Sequence, residues 1–183
     1  MSGNDIPTYM GSPFAGFWRR AGAWIFDAVI IYVTYLLVAF YVWDDLLIRS
    51  TVVDPESGQT LTSVVPSFLG LLVVGIGTLI YFALQESSRA QATLGKRAFG
   101  IKVCNYNGDR VSMITAGYRA WPLWLPGFIN TIPILDLVIG LVSLGACIAV
   151  AFTARKQGLH DIIARCLVVK RQAVFSDVSE RFS

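Results

Sequence analysis

Two long apolar stretches, Ala21 to Trp43 and Pro66 to Leu84, decide what this 183-residue chain is able to fold into. A bilayer core of about 30 Å takes about 20 apolar residues in a helix, and each stretch meets that length. With 55% of its residues hydrophobic and 15% charged, the chain is too apolar for an ordinary soluble domain. It reads as a small integral membrane protein. Two further stretches are candidates: Tyr118 to Ile132, with Pro122, Pro126 and Pro133 nearby, and Ile134 to Thr153, broken only by Asp136.

The basic residues choose between three and four crossings, because short cytoplasmic loops collect Lys and Arg. Arg19 and Arg20 precede the first stretch, and Arg49 alone follows it among Asp44, Asp45, Asp54 and Glu56. Six basic residues from Arg89 to Arg119 follow the second stretch and six from Arg155 to Arg181 follow the last, so four crossings put fourteen of the fifteen on one side. The expected fold is therefore an all-α integral membrane bundle with spans at about 21–43, 66–84, 118–132 and 134–153, and with both termini cytoplasmic. The third span is short, kinked or re-entrant, since each proline removes a backbone donor.

The net charge of +3 is then a topology signal. It gives no case for nucleic acid, because no basic patch with interleaved aromatics is present. Cys104, Cys147 and Cys166 fit no zinc spacing, and no metal or cofactor is expected. Asp27 interrupts the first apolar run and no small-residue cleavage site follows, so the first span is expected to remain in the mature protein.

Residues 1–16 read as a flexible cytoplasmic leader, 17–172 as the transmembrane domain and 173–183 as a cytoplasmic tail. The external segment from Asp44 to Val65 reads as an irregular excursion around the turn cluster Asp54-Pro55-Glu56-Ser57-Gly58. On the cytoplasmic side, Ile101–Cys104 alternates like a strand, Asn107-Gly108 supplies a turn, and Arg110–Met113 returns as a hairpin partner. Cys166–Lys170 is expected to join this small β-hairpin element as a third strand, because an isolated hairpin is marginal in water.

Arg20, Asp27, Thr34 and Tyr41 recur every seven residues, a polar stripe on an apolar helix. Asp27 lies about 10 Å along the helix from Arg20. A carboxylate at that depth costs roughly 2.5 to 3.5 kcal/mol on insertion scales, so something offsets it: Arg20 reaching down, a polar group from another helix, a bound cation, or a proton. Two readings stand side by side, a cation or proton site and a structural ion pair. His160, the single histidine, reads as an interfacial hydrogen-bonding residue ahead of a pH sensor, and Asp161 as a cap or counter-charge near Arg20. Asp136 suits a helix N-terminus ahead of an external ion gate. Lys96 and Arg97 suit anionic lipid headgroups. The small residues Gly140, Ser143, Cys147 and Ala151 suit close helix packing.

Three ordered motifs carry a family resemblance: Arg20-Ala21-Gly22-Ala23-Trp24-Ile25-Phe26-Asp27, then Gln91-Ala92-Thr93-Leu94-Gly95-Lys96-Arg97 with Gly100-Ile101-Lys102-Val103, then Gln157-Gly158-Leu159-His160-Asp161. Together they resemble the RDD family of membrane proteins, named for one arginine and two aspartates. The resemblance places those residues at Arg20, Asp27 and Asp161, with alanine at position 92 where the family often has glycine. It implies an integral membrane protein of largely uncharacterised activity, with transport of unidentified ligands suggested. Two functions are therefore carried forward. One is a small transporter or cation/proton exchanger, expected to be a homo-oligomer, in which Asp27 alternates between cation and proton. The other is a non-catalytic accessory or scaffold protein with Arg20, Asp27 and Asp161 as a structural lock. No nucleophile-base pair or metal-ligand cluster supports an enzyme.

Overall fold

A computed structural model describes residues 12–54, 58–129 and 133–172. The first apolar stretch becomes helix α1, Phe17–Tyr41, and the second becomes α2, Phe68–Ser87, with Ser67 capping it by accepting from the Gly70 amide at 3.0 Å. Their 25 and 20 residues give lengths of about 37 and 30 Å, enough to cross a hydrocarbon core. A buried helix of a soluble protein passes the same length test, so exposure has to decide. Only 22% and 28% of the most apolar stretches of α1 and α2 are buried. Val29, Leu37, Ile76 and Ile80 stand 46–57% exposed, and an apolar belt of this kind fits lipid better than water.

Between these helices, on the side away from the charged motifs, the chain does not wander irregularly as expected. A 3₁₀ turn at Asp44–Leu46 leads into an antiparallel hairpin of β1, Leu47–Val53, and β2, Thr60–Pro66, registered Leu47 to Pro66 and Val53 to Thr60. Both runs are rich in Val, Ile and Thr, and that β-branched content outweighed the turn cluster; of that cluster, residues 55–57 lie outside the described residues. Leu46 anchors the hairpin by burying its side chain beside Tyr35 and Ala39, while its carbonyl accepts the Tyr35 hydroxyl at 2.8 Å.

The other end of the helices carries a compact layer. Helix α3, Leu94–Ala98, runs into β3, Ile101–Asn105. The turn at Asn107-Gly108 forms, with Asn105 Oδ1 accepting from the Asn107 and Asp109 amides at 2.9 and 2.8 Å and Gly108 at φ 87°. The returning segment does not pair, so the expected hairpin is corrected: Ser112 instead caps a new helix, α4, Met113–Arg119, by accepting from Thr115 N at 3.0 Å. The strand beside β3 is β4, Cys166–Lys170, antiparallel with Ile101 opposite Lys170. On its other edge, Lys170 N donates to Pro13 O and Ala15 N to Val168 O, both at 2.8 Å. Phe14 and Ala15 are buried there, so the last residues of the expected flexible leader are packed; residues 1–11 and the tail 173–183 lie outside the described residues.

The third predicted span departs most. It divides at Ala120 into the end of α4 and α5, Trp121–Ile129, with Pro126 inside. At about 13 Å, α5 is too short to cross alone. Helix α6, Pro133–Ile148, continues through a 3₁₀ turn at Ala149–Ala151, short of the expected end at Thr153. A last short helix, α7, Leu159–Ile163, returns the chain to β4.

Candidate functional site

Where the helices meet the layer, six charged side chains from α1, α3, α4, α7 and the end of α2 come together. Arg20 on α1 pairs with Asp161 on α7, donates to the Lys156 carbonyl, and gives its Nε–H to Ala15 O at 3.0 Å. Arg119 at the end of α4 reaches Asp161 Oδ1 through NH2 at 2.6 Å and through Nε at 2.8 Å. Its NH1 holds Glu86 Oε2 at 2.6 Å, and Lys96 on α3 pairs with the other Glu86 oxygen. The order is Arg20, Asp161, Arg119, Glu86, Lys96, with Asp161 and Glu86 fully buried. Alternating charge along the row lets each buried carboxylate face two cations, which such burial requires.

Asp27 stands apart from Arg20, although both rise from one helix. Its Oδ1 accepts the Tyr81 hydroxyl at 2.6 Å and the Gly95 amide at 2.7 Å, and its Oδ2 accepts the Thr93 hydroxyl at 2.5 Å. Three of about four acceptor positions on the carboxylate are thereby used. Thr93 also caps α3, with its Oγ1 accepting from Lys96 N at 3.2 Å. Gly95 is required by close approach: a Cβ there would stand 2.1 Å from Ala23 O and 2.8 Å from Asp27 Cγ. The motif from Gln91 to Arg97 is thus a helix start seated on α1 and held by Asp27.

The third motif works in the same way. Gln157 gives Nε2–H to Cys166 O at 2.9 Å and ties the segment to β4. A Cβ on Gly158 would stand 2.6 Å from Ala146 O, so glycine is what lets α7 tuck under α6. Asp161 reaches back to accept the Gly158 amide at 3.1 Å. Burial alone would raise the Asp161 carboxyl, but Arg119 and Arg20 outweigh it and hold the group far below the usual carboxylate range. For His160, burial dominates over the pull of Asp161 and pushes the imidazole down to about 4, so it is neutral at neutral pH.

The remaining sequence candidates fall elsewhere. Thr34 is exposed and its hydroxyl donates to Ile30 O at 2.8 Å, within its own helix. The buried face of α1 follows Ala23, Asp27, Tyr35 and Ala39 in steps of four or eight, so the seven-residue stripe has drifted off it by Thr34. Lys96, read as a headgroup contact, turns inward to Glu86 and lies over the Phe82 ring at 5.1 Å, while Arg97 stays exposed. Asp136 lies in α6, and its side chain is outside the described residues. Glu86 and Arg119 were missed as members. Their only sequence signal is position, a carboxylate and a guanidinium at the ends of two apolar runs.

A cavity of about 460 Å³ opens beside this network, between α1 and α6. Arg20, Lys96, Arg119, Asp27 and His160 line it at one end, and Trp24, Leu123 and Leu144 contribute to its apolar remainder. Gly140, Ser143 and Cys147, expected to pack against a helix, face this space instead. Among the described residues no group of three His, Cys, Asp or Glu side chains is placed to hold a metal ion.

Apolar helices with exposed flanks, joined at one end to a small folded layer by buried ion pairs, define a compact helical membrane protein. The RDD family profile matches residues 14–165, and the chain belongs to that family. Among curated relatives, it is 34% identical over 158 residues to the uncharacterized membrane protein YteJ of Bacillus subtilis, covering 85% of this chain and 80% of the relative. It is also 29% identical over 159 residues to the uncharacterized protein YxaI of the same organism, covering 85% of this chain and 96% of the relative. No solved structure matches the chain.

Proposed function

We propose that this RDD family protein is a non-catalytic accessory protein of a bacterial cytoplasmic membrane, in which the arginine and two aspartates are a structural lock. The lock seats the layer of α3, β3, β4 and α7 on the membrane helices and presents it to a partner on the cytoplasmic side. Four passes, with α4 and α5 forming an incomplete third, put both termini and fourteen of fifteen basic residues on that side. The single observation that carries this reading is the state of Asp27: buried, accepting three hydrogen bonds, and fixing the start of α3. A carboxylate so held is tuned for staying in place, and a cycle of cation and proton exchange has to break those bonds at every turn.

Exchange through Asp27, in a homo-oligomer, remains the second reading, favoured by the fact that Asp27 lines the cavity. Purified protein in liposomes with a trapped pH dye, under sodium, potassium and lithium gradients in turn, separates the two. The lock predicts no cation-dependent proton movement by the wild type and an Asp27→Asn variant weakened by about 2 to 3 kcal/mol, because an amide N–H₂ then faces donors. Flux by the wild type that is lost in a folded Asp27→Asn variant overturns the lock and establishes the exchanger.

A further inference from the structure

We propose that the cavity between α1 and α6 is a lateral binding site for an anionic phospholipid, with its headgroup at the Arg20, Arg119 and Lys96 end and its chains leaving between the two helices. The volume of about 460 Å³ is within the range of small-molecule sites. Its lining is split by chemistry. Three cations and one carboxylate face the cavity, while Glu86 and Asp161, the anions that balance two of those cations, are fully buried and form no part of its wall. The end of the cavity is therefore more positive than the neutral sum of the six groups. Arg20 and Arg119 each commit three of five N–H donors to the protein, which leaves donors for a phosphate.

Ser143 is the second, independent observation. It is 7% exposed, lines the cavity, and its hydroxyl has no hydrogen-bond partner among the described residues. A buried hydroxyl without a partner costs free energy, and a glycerol or ester oxygen of a lipid is the group that removes that cost. The walls above it, Trp24, Leu123, Pro126 and Leu144, are apolar and suit acyl chain. The apolar surface of α1 and α2 that a second copy would bring to this opening has no exposed carboxylate, and charge complementarity selects the lipid. The inference does not depend on whether the network is a lock or an exchange path.

Native mass spectrometry in neutral detergent tests it, with phosphatidylglycerol, phosphatidylcholine and inorganic phosphate as probes. Phosphatidylglycerol is expected to bind at least about tenfold more tightly than phosphatidylcholine, since three cations face the site. Gly140 lies on the cavity wall with open space where a Cβ would sit, so Gly140→Phe is the substitution placed to occlude the site. Gly77 on α2 also has open space and lies off the cavity, and Gly77→Phe is the matched control. The proposal expects Gly140→Phe to lose the preference and Gly77→Phe to keep it. Equal binding of the two lipids, an unchanged preference in Gly140→Phe, displacement of the lipid by millimolar-range phosphate alone, or a dimer that forms in place of lipid binding would each overturn it.

Discussion

At the scale of single residues, Gly95 and Asp27 explain one another. The helix start at Thr93 comes so close to α1 that only glycine fits, and that closeness brings a backbone N–H onto the carboxylate. Gly95→Ala is expected to cost more than about 3 kcal/mol, because the new Cβ meets backbone rather than a flexible side chain; thermal unfolding in detergent reads it directly. His160 supplies a pH test. Its folded pKa, about 4, lies below the ordinary value near 6.5, so its contribution is present above that ordinary value and is lost as pH falls towards 4. The melting temperature is expected to fall across that window, and His160→Gln to flatten the fall. Sequence reasoning found Arg20, Asp27 and Asp161 as a set through resemblance and read Asp161 as a cap or counter-charge near Arg20, which it is, yet it could not assign the partners of Asp27. Arg20 and Asp161 are 141 positions apart, and the three donors to Asp27 lie 54 to 68 positions away. Burial created by such distant contacts leaves no local pattern, so Glu86 and Arg119 passed as ordinary loop charges.

At the scale of elements, the two long apolar helices were legible because hydrophobic length is a local property, and their observed ends fall within about four residues of those expected. The strands were legible as strands but not as pairs. Ile101–Cys104 and Cys166–Lys170 both have the right composition, and the nearest candidate partner, Arg110–Met113, lost to the distant one because Ser112 caps a helix there. Removing that cap should show its worth: Ser112→Ala is expected to cost about 1 kcal/mol without changing the β3 to β4 pairing. Hydrogen exchange checks both halves of that statement, with faster exchange in α4 and unchanged protection in β3. The third apolar stretch illustrates a different limit. Its prolines announced a break, but where the chain divides depends on Arg119 being drawn into the buried ion row at the end of α4.

At the scale of the whole molecule, charge sorts to one end and β-branched hairpin to the other, with apolar helix between. That polarity predicts the orientation. Ser63 in the exposed β2 is expected, as Ser63→Cys, to react with a membrane-impermeant maleimide in intact cells, whereas Arg171→Cys, beside β4, should react only after lysis. The inner layer would be a marginal structure by itself, with its two paired strands and two five-residue helices. What joins it to the helices is the row of buried charges together with the Asp27 hydrogen bonds, and the coupling within the row is the quantity on which the lock depends. A double-mutant cycle on Arg20→Met and Asp161→Asn, followed by reversible unfolding in mixed micelles, measures it most directly. The structure predicts a coupling of at least about 2 kcal/mol between the two positions. Strict additivity of the two substitutions would contradict the claim that this pair locks the layer of β3 and β4 to the first helix.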